Sequence, residues 1–564
     1  MNDSQIRGAE IVIKSLVAEN ARYIFGYPGG AIMPVYDALY DYMDHIQHIL
    51  TRHEQGAIHA AQGYARVSGH VGVCMATSGP GATNLITGMA DALIDSTPLV
   101  CITGQVASHL LGTDAFQETD VVGISMPATK WNIQVRKVEE IAPAIAKGFH
   151  IARSGRPGPV LIDITKDAQT AMGEFNYVPC LNIRSYRPYP KVEESIIAKA
   201  AKLINEANRP YVLFGQGVVL GKAEKALQDF LDKSGIPAAC TLLGTGAISE
   251  DHPNYVGKLG MHGNYGPNLL TNQCDVLIAV GMRFDDRVTG DVKRYAKQAK
   301  VIHLELDPAE IDKNVKCEVA VLGDCRISLE KLTEKVDKKS HEEWIAAFRK
   351  LEAEEKRVVV GNDLSPTKVG LTMGEVIRHI NEFKADDAIL VTDVGQHQMV
   401  AWRYFEYKTT RTQVTSGGLG TMGFALPAAL GAQLHDYNRQ VICVVGDGGI
   451  QMTFQELGTI MQTKAPVKVV LLNNNFLGMV RQWQQLFFDK RYSFTELDNP
   501  DFIKIADAYN FKVQKVDVRG DLRQAVAEMF VHEGPYFLEV VVEKEDNVFP
   551  MIASGSSVEE VRLS

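Results

Sequence analysis

Asp447 and Asn474 lie 27 residues apart, each just after an apolar run: VICVVGDGG around the first and PVKVVLLNNN around the second. One carboxylate and one amide oxygen, even with a backbone carbonyl added, make too poor a cage for a dry calcium site. They suit Mg2+, which shares its shell with phosphate oxygens and water. The stretch between the runs, QMTFQELGTIMQT, has helical spacing, so the two residues belong to one right-handed βαβ unit. Its strand ends share one sheet edge, where open α/β folds bind ligands. Glycines at Gly446, Gly448 and Gly449 let the backbone approach phosphates closely. A further run, AILVTDVG, ends in Gly395-Gln396-His397, and a turn at Gly417, Gly418 and Gly420 leads to a helix opening at Met422. Amide donors and polar side chains placed there would hold anionic oxygens. Each piece alone is a tight βα turn; the set together reads as a metal-bound diphosphate site.

G-D-G followed at this interval by N-N resembles the motif of the thiamine diphosphate enzymes, and the resemblance covers essentially the whole chain. It implies Asp447, Asn474 and the carbonyl of Phe476 as Mg2+ ligands, with Gly478 and Met479 completing the cofactor contacts. It also implies Met422 wedged between the cofactor's two rings and carbonyls near Gly420 accepting from its 4′-amino group. Glu54, in HILTRHEQGAIHAAQGYARVSG, is by its own context a carboxylate in the first turn of a helix beginning near His53, where the helix dipole favours it. The resemblance implies more: that Glu54 bonds N1′ of the aminopyrimidine and so turns the 4′-amino group into the base that activates the thiazolium. In that family the carboxylate and the diphosphate site come from different subunits, which implies a homodimer at least.

The middle of the chain has strands ending in Gly or acid: YVLFGQGVVL, PAACTLLGTGAI, CDVLIAVGMRFDD, VIHLELD and VAVLGD. Gly215-Gln216-Gly217 is followed by Leu220, so the full dinucleotide fingerprint is not met. The run Gly281-Met282-Arg283-Phe284-Asp285-Asp286-Arg287, with Met261-His262-Gly263 and Asp324, resembles the FAD-binding elements of the acetohydroxyacid synthases, also called acetolactate synthases. Arg156, Thr241, Leu242 and Glu305 match further flavin contacts of that family, where FAD is mainly structural. The same resemblance places Phe116, Gln117, Lys166, Met479, Val480 and Trp483 along the substrate channel, and Arg287 at the carboxylate of the second keto acid. A guanidinium suits that planar anion. The implied reaction decarboxylates pyruvate and ligates the two-carbon unit to a second pyruvate or to 2-ketobutyrate, giving the first common precursors of the branched-chain amino acids. Trp483 is expected to favour 2-ketobutyrate. A pyruvate oxidase, which shares the cofactors, is the alternative reading; a silent scaffold is a remoter one. Gly104-Gln105-Val106 is followed by Ala107, where herbicide-sensitive plant and fungal relatives have Pro, so weak sulfonylurea inhibition is expected.

Positioning these residues requires several strand–helix layers. Apolar runs alternate with helical periodicity over almost all of the 564 residues, the signature of an α/β protein built from doubly wound parallel-sheet domains. An aperiodic stretch at 169–192 reads as an extended linker, and a charged helical stretch between 326 and 370 reads as a solvated connection. The expected domains are 1–170 (pyrimidine-binding), 190–335 (central, Rossmann-like, FAD-binding) and 368–564 (diphosphate-binding). The first and third share a strand, Gly-rich turn and helix layout. With 58 Lys and Arg against 68 Asp and Glu, the net charge of −10 argues against a general nucleic-acid binder. The eight cysteines are scattered, without a C-x-x-C pair, and read as core residues in a reducing cytoplasm. Neither a secretory signal nor a membrane span is expected. Dimer or tetramer assembly and a small regulatory subunit are implied by the family.

Overall fold

Three parallel six-stranded sheets frame the protein in the computed structural model, which describes residues 5–367 and 369–564. Residues 1–4 of the expected first domain, and residue 368 with which the third was expected to begin, lie outside the described residues. Numbering only the strands of these sheets, the first holds β1 (Tyr23–Gly26), β2 (Gln47–Leu50), β3 (Gly72–Ala76), β4 (Leu99–Gln105), β5 (Trp131–Val135) and β6 (Pro159–Thr165). The central sheet holds β7 (Pro210–Phe214), β8 (Ala238–Cys240), β9 (Tyr255–Lys258), β10 (Val276–Val280), β11 (Lys300–Glu305) and β12 (Val319–Leu322). The last holds β13 (Ile389–Thr392), β14 (Gln413–Thr415), β15 (Val441–Gly446), β16 (Lys468–Asn473), β17 (Lys512–Val516) and β18 (Tyr536–Val541).

The first sheet runs β2-β1-β3-β4-β6-β5 and the third β14-β13-β15-β16-β18-β17: the same order, which accounts for the shared layout in the sequence. The central sheet runs β9-β8-β7-β10-β11-β12, the order of dinucleotide-binding folds. In each sheet the connections lead off in opposite directions from one inner place, leaving a crevice at the carboxyl ends of the strands flanking it: β1 and β3, β7 and β10, β13 and β15. The strands at these places are buried on both faces, so they read as unbroken apolar runs. β9, YVGK, has no such run and was absent from the sequence-based expectation.

Helix α1 (Glu54–Ser68) of the first domain and α2 (Ala425–His435) of the third join two sheets into one core. They meet backbone to backbone. A Cβ on Gly63 would stand 1.9 Å from the Ala428 carbonyl oxygen, and one on Gly431 1.8 Å from that of Ala60.

Two segments depart from expectation. The connecting helix Glu342–Glu355 is not simply solvated: Trp344 and Phe348 are buried against the central sheet, and the Trp344 indole donates to the Pro210 carbonyl at 3.0 Å. The end of the chain, expected within the third domain, returns to the central one. Met551–Ile552 pairs with Val561–Arg562, Ile552 and Val558 enter the central core, and the Ile552 amide donates to the Met261 carbonyl at 2.9 Å. Among the described residues no helix is long and apolar enough to cross a membrane.

Candidate active site

Nearly all the candidate residues follow carboxyl ends of strands. β15 and β16 are in register with Gly446 beside Leu472, so Asp447 and Asn474 emerge side by side. Asp447 is 2% exposed, and burial pushes its carboxyl up to about 6 despite a 2.7 Å bond from the Asn499 amide. Asn499 also donates to Asn473 and Asn475. It lies in a loop, where sequence gave no sign of it. The Asn474 side-chain oxygen accepts the Phe476 amide at 3.1 Å. Phe476 bridges Glu496 through the carbonyls of Asn475 and Thr495, which leaves its own carbonyl outside the bridge.

Gln396 and His397, after β13, turn towards the same edge. Gln396 Oε1 and His397 Nε2 are buried without hydrogen-bond partners, which is costly unless a ligand supplies them. Burial lowers the His397 pKa to about 4, so its ring is neutral. Its Cε1 fills the space a Cβ would need at Gly395 and at Gly446, 2.8 Å away in each case. Gly478 does the same for Gln396 and Asn474, at 2.2 and 2.9 Å. The glycine-cleared approaches and the orphaned His397 Nε2, which can donate, fit an anion, while the orphaned Gln396 Oε1, an acceptor, calls for a donor or a cation beside it. Among the described residues no group of three or more His, Cys, Asp or Glu side chains could hold a metal; the expected set, with its single carboxylate, would not form one.

The glycine turn differs from expectation. α2 begins at Ala425, not Met422, and the amides of Gly417 and Gly418 donate to Asp95 of the first domain, at 2.8 Å each. They are therefore spent and do not serve an anion. Asp393, another acid at a strand end, is buried and binds the amides of Val394, Gly423 and Ala425. Its place after LVT was a visible signal.

A cavity of about 830 Å3 opens where the three domains meet, within the usual range of cofactor sites. Arg156, Gln216, Gly217, Thr241, Leu242 and Met261 line it, as do His262, Gly281, Arg283, Asp285, Arg287, Glu305 and Asp324. Gly215 and Gly263 do not line it. Gly215 packs under Met282 and Gly263 under the Lys258 carbonyl. A Cβ on Gly217 would lie 2.6 Å from the Gly281 Cα, so β7 and β10 close on each other at their reversal point. Asp285 and Asp324 cap short-range helix starts. His262 Nδ1 is buried without a partner. Arg156 reaches across from the first domain to Glu310 at 2.9 Å and Asp307 at 3.3 Å. Arg403 and Glu355, both missed in the sequence, form a buried pair at 2.5 Å, and Arg403 donates to the carbonyls of His262 and Gly263.

The same cavity takes Gly395, Gly420, Met422, Met479, Val480 and Trp483 from the third domain. Helix α3 (Gly478–Phe487) buries Arg481 and Gln482 while leaving Met479, Val480 and Trp483 more open. That inverts ordinary amphipathicity and marks an apolar binding wall.

Glu54, Phe116, Gln117 and Lys166 do not line this cavity. They gather at the carboxyl edge of the first sheet. Glu54 opens α1 behind a His53 cap, accepts the Asn84 amide at 3.0 Å and overlies Gly81. Phe116 is 89% exposed, Gln117 takes φ +58°, and Lys166 is exposed at the end of β6.

Residues 6–124, 197–332 and 393–540 match, in turn, the N-terminal TPP binding domain, the central domain and the C-terminal TPP binding domain of thiamine pyrophosphate enzymes. The chain is 45% identical to the acetolactate synthase isozyme 2 large subunit of Escherichia coli K12, covering 99% of both chains. It is 44% identical to the acetolactate synthase large subunit of Corynebacterium glutamicum (99% and 90% covered) and 42% to a probable acetolactate synthase large subunit of Methanocaldococcus jannaschii (99% and 95%).

Proposed function

The chain belongs to the thiamine pyrophosphate-dependent acetolactate synthases as a large, catalytic subunit, and from that premise we propose how its residues share the work. It joins a two-carbon unit from pyruvate to a second pyruvate or to 2-ketobutyrate, releasing CO2. When bound, thiamine diphosphate supplies the carbanion chemistry. Asp447, Asn474 and the Phe476 carbonyl hold Mg2+; of the buried atoms that lack partners, His397 Nε2 donates to a diphosphate oxygen and Gln396 Oε1 accepts from a donor of the bound cofactor or its hydration shell. Met422 and Gly420 seat the rings. Glu54 holds the proton at N1′. FAD lies in the three-domain cavity. Trp483, Met479 and Val480 wall the acceptor keto acid, Arg287 receives its carboxylate, and Phe116, Gln117 and Lys166 close the channel.

The observation that carries this reading is the separation of the two residue sets. Within one chain, Glu54, Phe116, Gln117 and Lys166 lie off the cavity that holds Trp483 and Met422. A second copy supplies them, so the working unit is a homodimer or a tetramer built from it. The relatives are named large subunits, which supports a small regulatory partner. The cysteines, mostly buried and all unpaired, support a cytoplasmic protein. Pyruvate oxidase activity is not favoured by relatives that are named acetolactate synthases.

Product analysis tests the reading: with thiamine diphosphate, Mg2+ and FAD, pyruvate should give acetolactate, and added 2-ketobutyrate should divert product to acetohydroxybutyrate. Acetate with reduced flavin would contradict it. Glu54→Gln should slow hydrogen–deuterium exchange at the cofactor's C2 by about 100- to 10,000-fold while Mg2+ binding persists. Unchanged exchange would remove Glu54 from its role.

A further inference from the structure

The loop Ser416–Met422 belongs to the third domain, yet carboxylates of the first domain of the same chain hold it. Asp95 accepts the Gly417 amide at Oδ2 and the Gly418 amide at Oδ1, both at 2.8 Å. Asp91 accepts the Ser416 hydroxyl and, at 3.2 Å, the Thr421 hydroxyl; the Thr421 amide closes the ring onto Ser416 Oγ at 2.8 Å. Arg66 lies 3.0 Å from Asp95 and 3.8 Å from Asp91, and its other arm donates to the Thr415 carbonyl at 2.6 Å. Asp91 and Asp95 are 0% and 1% exposed. Carboxylates taken out of water need compensating donors, and here Arg66 and the loop's own amides and hydroxyls supply them.

The loop's other face borders the flavin cavity, which Ser416 through Gly420 line together with Met422. A Cβ on Gly418 would stand 2.6 Å from Arg283 Nη2 and 2.9 Å from Asp95 Oδ1, so only bare backbone fits between the carboxylates and the flavin wall. Met422, at the loop's end, is the residue assigned to the thiamine rings. One strip of chain thus forms a wall of both cofactor sites.

We infer that Asp91 and Asp95 are positioning residues that set this loop for both cofactors at once, so that occupancy of one site strengthens binding at the other through it. The inference rests on the functional reading above for what fills the two sites.

The test uses the full-length assembly and measures dissociation constants for thiamine diphosphate with Mg2+ and for FAD, each with and without the other, alongside kcat at saturation. Asp95→Asn keeps an acceptor for one of the Gly417 and Gly418 amides and puts an amide donor against the other; Thr421→Val removes a single bond and leaves the charges paired. Expected are constants raised about tenfold or more in Asp95→Asn and about threefold in Thr421→Val, with kcat at saturation changed less. FAD and thiamine diphosphate should tighten each other by equal factors in the parent chain, and those factors should shrink in both variants. Unchanged constants for both cofactors in Asp95→Asn would overturn the inference, as would raised constants with undiminished mutual tightening. Should Asp95→Asn fail to fold, Thr421→Val decides by the same criteria. A parent chain that binds thiamine diphosphate but never FAD would instead overturn the flavin assignment, leaving the carboxylates judged on thiamine diphosphate alone.

Discussion

Glu305 ends β11 against the cavity, and burial pushes its carboxyl up to about 7, although the amides of Leu306 and Asp307 both donate to Oε1. Hydroxyl groups of a bound flavin nucleotide would donate to this carboxylate and so favour its ionised form. FAD affinity should therefore rise with pH up to about 7, by at most about tenfold per unit, and level off above it. Glu305→Gln should flatten that profile; a titration of flavin fluorescence against pH reads it. Trp483, its ring tilted 37° against Phe487 at 4.9 Å, is the residue proposed to set the acceptor pocket. Trp483→Ala should erase most of the preference for 2-ketobutyrate, a contrast of about 10- to 200-fold for one methylene, measured as the product ratio in a mixed-substrate assay. At Ala107, φ is −61°, which proline adopts without strain. Ala107→Pro should keep activity and tighten sulfonylurea inhibition, measured as an inhibition constant.

At the level of elements, the α1–α2 crossing shows how far sequence can be read. The strands around Asp447 and Asn474 and the helix start at Glu54 were legible because apolar runs, caps and glycine turns are local signals; the stretch at 169–192 was not simply the linker expected, since Met172–Glu174 pairs antiparallel with Gln5–Arg7. β9 was not, because a four-residue strand with one glycine carries no period. Asp91 and Asp95 sit in ITGMADALID, where acids at helical spacing look like a solvated face; only the packing of another domain against them makes them buried. Asn499 stands in a loop for which no periodicity exists. Gly63 and Gly431 likewise looked like ordinary helix glycines until the second helix was placed on them. Gly63→Ala would drive a methyl into the Ala428 carbonyl and should cost about 1–3 kcal/mol or more, visible as a lower thermal midpoint. Gly520→Ala, with open space around its Cβ, should leave that midpoint unchanged or slightly higher.

The whole molecule uses its first domain twice. Toward its own chain that domain supplies Arg66, Asp91 and Asp95 to the third domain's loop, and in return Glu456 of the third domain accepts the Arg52 amide at 3.0 Å, just ahead of Glu54. On the proposed reading the first domain offers the Glu54 edge to a second chain. If each site draws on two chains, Glu54→Gln and Asp447→Ala, each inactive alone, should recover about a quarter of parental activity after mixing and subunit exchange, since half the dimers are mixed and each of those keeps one intact site. No recovery in exchanged mixtures would place the whole site within one chain. The returning tail carries a different kind of consequence. Ile552 braces the Met261 carbonyl and Glu560 pairs with Arg294 at 2.7 Å, so Met261, in the wall of the three-domain cavity, is held by a segment almost 300 positions later in the chain. On a ribosome that brace forms only when almost the entire chain has emerged, so a nascent or prematurely ended chain holds its Met261 wall without it.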